Sequence, residues 1–298
     1  MQDFKEDILK LLKDKRPNLS ANSCRSYVST LANLPKKCDL PDTTSSLLHN
    51  TSHILQCLKD VEPHKRRSIM SALFVITECP QIKEQMDSDM KITNANYRQQ
   101  KKSATEKENW LDWDAILAKY NELKNEALAI FKLKTISPDQ LFTLSKFVLL
   151  SLYVLMPPRR VLDYSLLKWG KTKNADTNFN YITKDQIIFN QYKTVKTYHQ
   201  QVFSLPMELQ QILKKWRTYN KGEYVITNKS GDDDGFTSNG ITKILNSIFA
   251  PDKISCDLLR HAFITSFLNS NPPLSECDAM AEKMAHSQAQ QTLYKKVD

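Results

Sequence analysis

Apolar residues recur at helical spacing through most of the chain. In residues 2–14, Phe4, Ile8, Leu11 and Leu12 share one face. Pro17 and Asn18 interrupt the pattern, and NLSANSCRSYVSTLANL resumes it. There Ser20 or Asn22 serves as N-cap, and Tyr27, Val28 and Leu31 form the apolar stripe. A polar loop at 39–46 leads to a third apolar segment, 47–58. Pro63 then opens a fourth helix with Ile69, Ala72, Leu73 and Ile76 inward and the basic run 64–67 at its start. From 81 to about 108 the chain turns polar, and the stretch 99–109, where the domain boundary falls, has no apolar periodicity.

The pattern resumes at NWLDWDAILAKYNELKNEAL, an amphipathic helix burying Trp110, Trp113, Ile116, Leu117 and Tyr120. Ser137 followed by Pro138 starts another helix as N-cap and first helical residue. Its apolar run, 141–156, is broken by Thr143, Ser145, Lys146 and Ser151 and stopped by Pro157 and Pro158. It reads as a buried helix, too short and polar to span a bilayer. Residues 181–205 alternate apolar and polar positions, predicting two or three strands around Ile187, Ile188, Phe189, Val202, Phe203 and Leu205. Helices are expected again at 206–219, 238–249, 257–268 and 275–284, with a short one around Tyr294. The fold class is therefore mainly α with a small β-sheet, in two domains. Residues 1–102 form a helical domain, 103–108 a linker and 109–298 a mixed α/β domain.

Composition changes the picture in one respect. The net charge is +9, and both expected domains are basic, which favours a polyanionic partner, nucleic acid being the commonest. The scarcity of glycine, 5 in 298 residues, agrees with a helical chain. Six scattered cysteines without a CxxC pair, and a polar first turn in place of a signal peptide, predict reduced thiols and an intracellular location. His49 and His53 have the spacing of two ligands on one helix face, but no third ligand accompanies them. The acidic loop 228–235 reads as solvated. No metal or cofactor is expected.

The candidate chemistry lies late in the chain. Arg260 and His261 are adjacent, His286 follows, and Tyr294 comes eight residues later. Cleaving a phosphodiester with a phenol needs cationic donors on the non-bridging oxygens, a proton donor for the departing 5′-oxygen, and a tyrosine placed in line. Guanidinium suits the first role because its rigid fork stays charged at any working pH. The stretch LLRHAFITSF, then MAHS, then Tyr294 resembles the C-terminal motifs of the tyrosine recombinase (phage integrase) family.

Upstream, RRVLDYSLLKW is similar to the family's first arginine motif. It aligns Arg160, Asp163, Leu167 and Trp169 with the family positions, selects Arg160 over Arg159, and gives Asp163 the task of orienting that arginine. NQYKTVKTYHQQVFSLP resembles the hairpin that carries the family's lysine, with Lys193 preferred over Lys196 as general acid. By resemblance Arg260 is the second arginine, His286 donates to a non-bridging oxygen, and Tyr294 is the nucleophile. His261 is expected to be a packed structural residue. Two departures stand out. Asp257 occupies the position where the family has a histidine, which leaves its role doubtful, and the His286–Tyr294 interval is one residue short.

The likeness covers 137–298 closely and the first hundred residues loosely, where the helices resemble the family's DNA-clamping domain. Lys65, Arg66, Arg67, Arg159 and Lys196 are the expected DNA contacts, the first three positioning phosphate without reading sequence. The resemblance implies a site-specific recombinase or integrase acting on double-stranded DNA through a 3′-phosphotyrosine. It also implies a homo-tetramer on two DNA sites, in the nucleus or wherever the target DNA resides. The PPRR…DY wording looks most like integrases of eukaryotic mobile elements or large DNA viruses. Two alternatives accompany this reading: a nicking–closing enzyme of the type IB topoisomerase kind, and a catalytically weakened DNA-binding protein of the same fold.

Overall fold

The computed structural model describes residues 2–165, 167–170, 176–228 and 235–297, so the acidic loop at 228–235 lies, apart from its two ends, outside the described residues. The chain forms two compact units, Met1–Gln99 and Gln100–Asp298. Residues 103–108, expected as a linker, thus belong to the second unit.

The first unit is all helix: α1 (Gln2–Lys15), α2 (Ala21–Lys37), α3 (Thr44–His49), α4 (Thr51–Cys57), α5 (Pro63–Thr77) and α6 (Pro80–Arg98). Ser20 caps α2 by accepting from the Ser23 amide at 3.1 Å. The apolar segment 47–58 is divided between α3 and α4, because the Asn50 side chain turns back onto the Ser46 carbonyl at 2.9 Å and ends the first of them. Phe4, Ile8, Leu12, Leu31, Leu47, Ile54, Leu58, Met70, Leu73 and Ile76 make the core.

Three sequence expectations are corrected here. The polar stretch after 81 is helical as far as Arg98. Its inward stripe is Ile82, Met86, Asp89 and Thr93, and a stripe half polar does not register as apolar periodicity. Asp89 is completely buried because it meets Arg66 in a two-point pair, Nε to Oδ2 at 2.9 Å and Nη2 to Oδ1 at 2.7 Å. Arg66, expected on DNA, is therefore a clamp between α5 and α6, and its Nη1 is spent on the Leu58 and Lys59 carbonyls. Its neighbour Lys65 is exposed beside Glu62 at 2.6 Å, and Arg67 is half-buried. Lastly, Cys38 and Cys57, expected as free thiols, lie with Cα atoms 5.7 Å apart and are bonded. Distance along the chain hid this pair, since helix packing alone brings the end of α2 against α4. His53 donates to the Cys38 carbonyl at 2.8 Å beside it.

The second unit contains α7 (Ala104–Glu108), α8 (Trp113–Ile130), α9 (Pro138–Val154), α10 (Val161–Ser165), β1 (Leu167–Trp169), β2 (Asn180–Ile182), β3 (Gln186–Phe189), α11 (Val195–Tyr198), β4 (Gln201–Ser204), α12 (Met207–Tyr219), α13 (Ser238–Phe249), α14 (Cys256–Asn269), α15 (Leu274–Lys283) and α16 (Gln288–Tyr294). The strands lie in the order β1-β2-β3-β4, the first pair parallel and the others antiparallel. Helix α9 starts on a reciprocal capping box between Ser137 and Gln140 and buries Leu144, Phe147, Val148, Leu149, Leu150 and Leu152 at the centre of the core. Trp216, fully buried, ties α12 to the following loop through Nε1 to the Val225 carbonyl at 2.7 Å. The fold is thus mainly helical with one small four-stranded sheet. No described helix is long and apolar enough to cross a membrane.

Candidate active site

Each candidate side chain is delivered by a helix end or a turn. Ser255 caps α14 through the Leu258 amide at 3.2 Å, and α14 packs Leu259, Ala262 and Ile264 inward, carrying Arg260 and His261 with them. Helix α15 ends with the Ala285 amide on the Glu282 carbonyl at 2.9 Å and the His286 amide on the Ala281 carbonyl at 3.1 Å. That double closure requires a left-handed residue between, and Ala285 takes it, at φ 52°. The reversal aims the chain at Ser287, which caps α16 through the Gln290 amide at 3.2 Å; Tyr294 ends that helix.

The four residues 260, 261, 286 and 294 converge. Arg260 is entirely buried, and its Nη1 donates to the Tyr294 hydroxyl at 2.9 Å, with the guanidinium carbon 4.6 Å from the ring centre. The His286 ring stacks on Tyr294 at 5.4 Å and 14°, while His261 lies 4.7 Å from it and donates Nδ1–H to the Tyr294 carbonyl at 2.7 Å. His261, expected as a packed residue, thus touches the tyrosine directly.

The arginine pair sorts differently from the motif reading. Arg159, expected on the DNA surface, is buried. Its Nε donates to Asp163 at 2.7 Å, its Nη1 to Gln201 at 2.6 Å and to the Lys283 carbonyl at 2.9 Å, and its plane lies over Phe189 and Tyr192. Asp163 therefore orients Arg159, not Arg160: on the turn of α10 a spacing of four points the carboxylate at the first arginine. Gln201 extends the staple, its amide donating to the Glu282 carbonyl at 2.9 Å, so that the open carbonyls ending α15 are satisfied from two sides. Burial lifts the Asp163 carboxyl above its usual range, and the surrounding guanidinia of Arg159, Arg160 and Arg260 oppose that rise.

Arg160 is less buried and reaches the Ala285 carbonyl at 3.3 Å. The same carbonyl accepts from the Thr194 hydroxyl at 3.0 Å, which fastens the β3–β4 connection beside His286. Lys193, the residue before Thr194, is exposed there, and Lys196 is exposed one turn on in α11. Asp257 is three-quarters exposed and lies 3.6 Å from Arg260 Nη1. Cys256 donates its thiol to the Arg159 carbonyl at 3.1 Å, and burial pushes its pKa up to about 12, so it stays a neutral packing residue.

Several polar atoms around this cluster have no protein partner among the described residues: the donors Arg260 Nε and Nη2 and Arg159 Nη2, and His286 Nε2. Burial depresses His286 to about 4 against the hydrogen bond to the Ser287 carbonyl, and the Arg260, Arg160 and Arg159 charges add to the fall. His286 is therefore neutral at neutral pH. Its Nδ1 faces that carbonyl at 3.2 Å and must carry the proton, which leaves the lone pair on Nε2. In this state Nε2 accepts a proton; to donate to a phosphate oxygen the ring must first gain one.

Two further residues escaped the sequence reading. Glu106 on α7 receives the Lys296 ammonium at 2.9 Å; burial pushes its carboxyl pKa up, but the Ser103 amide and Lys296 together hold it below the usual carboxylate range. The S-x-x-E of a capping box is visible at Ser103–Glu106, but it announces a helix start and says nothing of Lys296.

No protein-family model matches the chain, and no curated protein sequence matches it. Among solved structures, a crystal structure of XerA recombinase is similar at 12% identity and a TM-score of 0.43, with the alignment covering 100% of this chain and 94% of that one.

Proposed function

We propose that the chain is a DNA strand transferase of the tyrosine recombinase kind. The observation that carries this reading is the 2.9 Å hydrogen bond from buried Arg260 to the Tyr294 hydroxyl, set among guanidinium donors with no partner among the described residues. A buried guanidinium with two open N–H sites is costly unless an anion completes it. A tetrahedral phosphodiester beside a phenol would do so.

In this mechanism Arg160 and Arg260 hold the non-bridging oxygens, and their preorganised charge favours the transition state more than the ground state. Tyr294 loses its proton, with neutral His286 as a nearby acceptor, and its oxygen attacks phosphorus in line. The P–O5′ bond breaks as the P–O(Tyr) bond forms, and Lys193 protonates the departing 5′-oxygen. A 5′-hydroxyl from another strand then attacks the 3′-phosphotyrosine and restores tyrosine, so the bond energy is conserved and no nucleotide cofactor is consumed. Asp257 donates nothing to phosphate while ionised; Arg160, Arg260 and Lys193 supply the positive charge. Exchange between two duplexes on this scheme uses four protomers.

The test is a suicide duplex carrying a bridging 5′-phosphorothiolate, drawn from DNA flanking the gene, with wild-type protein and Tyr294→Phe compared on a denaturing gel. The reading expects a covalent band with the wild type and none with Tyr294→Phe. Lys193→Ala should still form the band on the sulfur substrate, whose leaving group needs no proton, and fail on the oxygen one. Tight DNA binding with no band would leave a DNA-binding protein of this fold. Supercoil relaxation by isolated protomers would favour the nicking–closing alternative.

A further inference from the structure

The tyrosine is held from a second direction that no motif announces. Two residues beyond it, Lys296 is buried, its ammonium shared between both oxygens of Glu106 at 2.9 and 3.1 Å and directed also toward the Lys101 carbonyl at 3.5 Å. Glu106 is immobile in turn, because its carboxylate accepts the Ser103 amide at 2.8 Å in the capping box of α7. The same carboxylate lies 3.9 Å from His261 Nε2, on the ring whose other nitrogen holds the Tyr294 carbonyl. The Lys296 amide donates to Thr265 of α14 at 2.9 Å, and Val297 pairs with the backbone at Gln100 and Lys101. Gln100 reaches back to the Thr292 carbonyl.

Tyr294 thus stands between two tethers. Upstream, Ser287 and the α15 turn set its helix; downstream, an ion pair to α7 pulls the following residues down. A seven-residue helix on its own is too short to hold a side chain in one place. A buried lysine–carboxylate pair is a poor source of stability, since desolvation offsets much of the attraction, so its distinctive contribution is to fix geometry.

We infer that Glu106 is a positioning residue for Tyr294: through Lys296 and His261 it holds the phenol against Arg260 of the same chain. The inference rests on the nucleophilic reading of Tyr294, and its test is chosen to separate the two. Glu106→Gln is the informative change, because glutamine preserves the capping box while losing the charge that grips Lys296. Lys296→Met is the second variant, in case the first fails to fold, with Lys296→Arg as the conservative rescue. Glu122→Gln, on the exposed face of α8, is the control.

Fluorine NMR of full-length protein containing 3-fluorotyrosine, with the Tyr294 resonance identified by its absence in Tyr294→Phe, reports ring placement without any DNA. The resonance is expected to move toward the unfolded position in Glu106→Gln and Lys296→Met and to stay in place in Lys296→Arg and the control. The rate of covalent band formation on saturating suicide duplex is expected to drop about ten- to a hundredfold in the first two, as a displaced reacting group does. The DNA concentration for half-maximal binding should be unchanged. An unmoved resonance with an unmoved rate, or a lower melting temperature with both unmoved, overturns the inference. If wild type forms no Tyr294-dependent band, the strand-transferase reading fails, and the resonance alone decides whether the tether exists.

Discussion

Both units of this chain bury an arginine against an aspartate, and the two pairs have different fates. In the first unit Arg66 meets Asp89 through two parallel hydrogen bonds, gives its last nitrogen to two carbonyls, and Asp89 takes a further donor from Gln85 at 3.0 Å. Every polar atom of that pair is occupied. In the second unit Arg159 and Asp163 pair through one 2.7 Å bond, and among the described residues Arg159 Nη2, Asp163 Oδ1 and two nitrogens of fully buried Arg260 have no partner. Similar residue types make a closed clamp in one place and a positively charged cluster with unpaired donors in the other. Buried polar groups in native proteins are almost always satisfied, so what completes these donors is the question the proposed phosphate contact answers.

The contrast is tested first at its sharpest point. Arg260→Ala removes the idle donors and the Tyr294 contact together, and covalent band formation on suicide DNA is expected to drop about a thousandfold. Arg260→Lys should recover only part of it, since an ammonium cannot fork. A band of wild-type intensity from Arg260→Ala would dissolve the distinction between the units. The counterpart in the closed pair is Asp89→Ala, which strands Arg66. Denaturant unfolding is expected to show a loss of about 3–5 kcal/mol, and no such loss would mean that the clamp is not one.

Acid should act on the cluster of the second unit. In the unfolded chain His286 titrates near 6.5 and in the folded one near 4, so as pH falls the unfolded chain binds the proton first. Stability from this group is full above about 6.5 and declines toward pH 4, by at most about 3 kcal/mol. His261, also depressed by burial, adds in the same direction. Proton NMR of the His286 ring should show its midpoint near 4, and a midpoint near 6.5 would remove the argument that it rests neutral. The smallest effect expected is a gain. Ala285 holds a left-handed conformation at φ 52° that costs a Cβ-bearing residue about 1 kcal/mol. Ala285→Gly should return about that amount in a melting or denaturant experiment.

Much of this was legible in the chain. Helix boundaries followed from caps and prolines at Ser20, Pro63 and Ser137, and the strands from alternation around Ile187 and Val202. Helix α6 was missed because its buried face is built from Asp89 and Thr93, residues that count as polar until a partner is known. Arg66 was expected on DNA for the mirror-image reason. At the site, the order of Arg260, His286 and Tyr294 was visible, and their convergence was an expectation that the fold meets geometrically. The division of labour between Arg159 and Arg160 was not visible, since two adjacent arginines differ only in which way the turn of α10 points them.

The sequence by itself determined the elements, their caps and the presence of candidate groups, because those depend on neighbours within a turn or two of helix or strand. Only the tertiary structure decided which charges are spent and which are left open. Arg66 is separated from Asp89 by 23 positions, Arg260 from Tyr294 by 34 and Glu106 from Lys296 by 190. Whether a guanidinium is a clamp or a ligand site is set by how many of its donors such distant partners satisfy after burial has stripped away water.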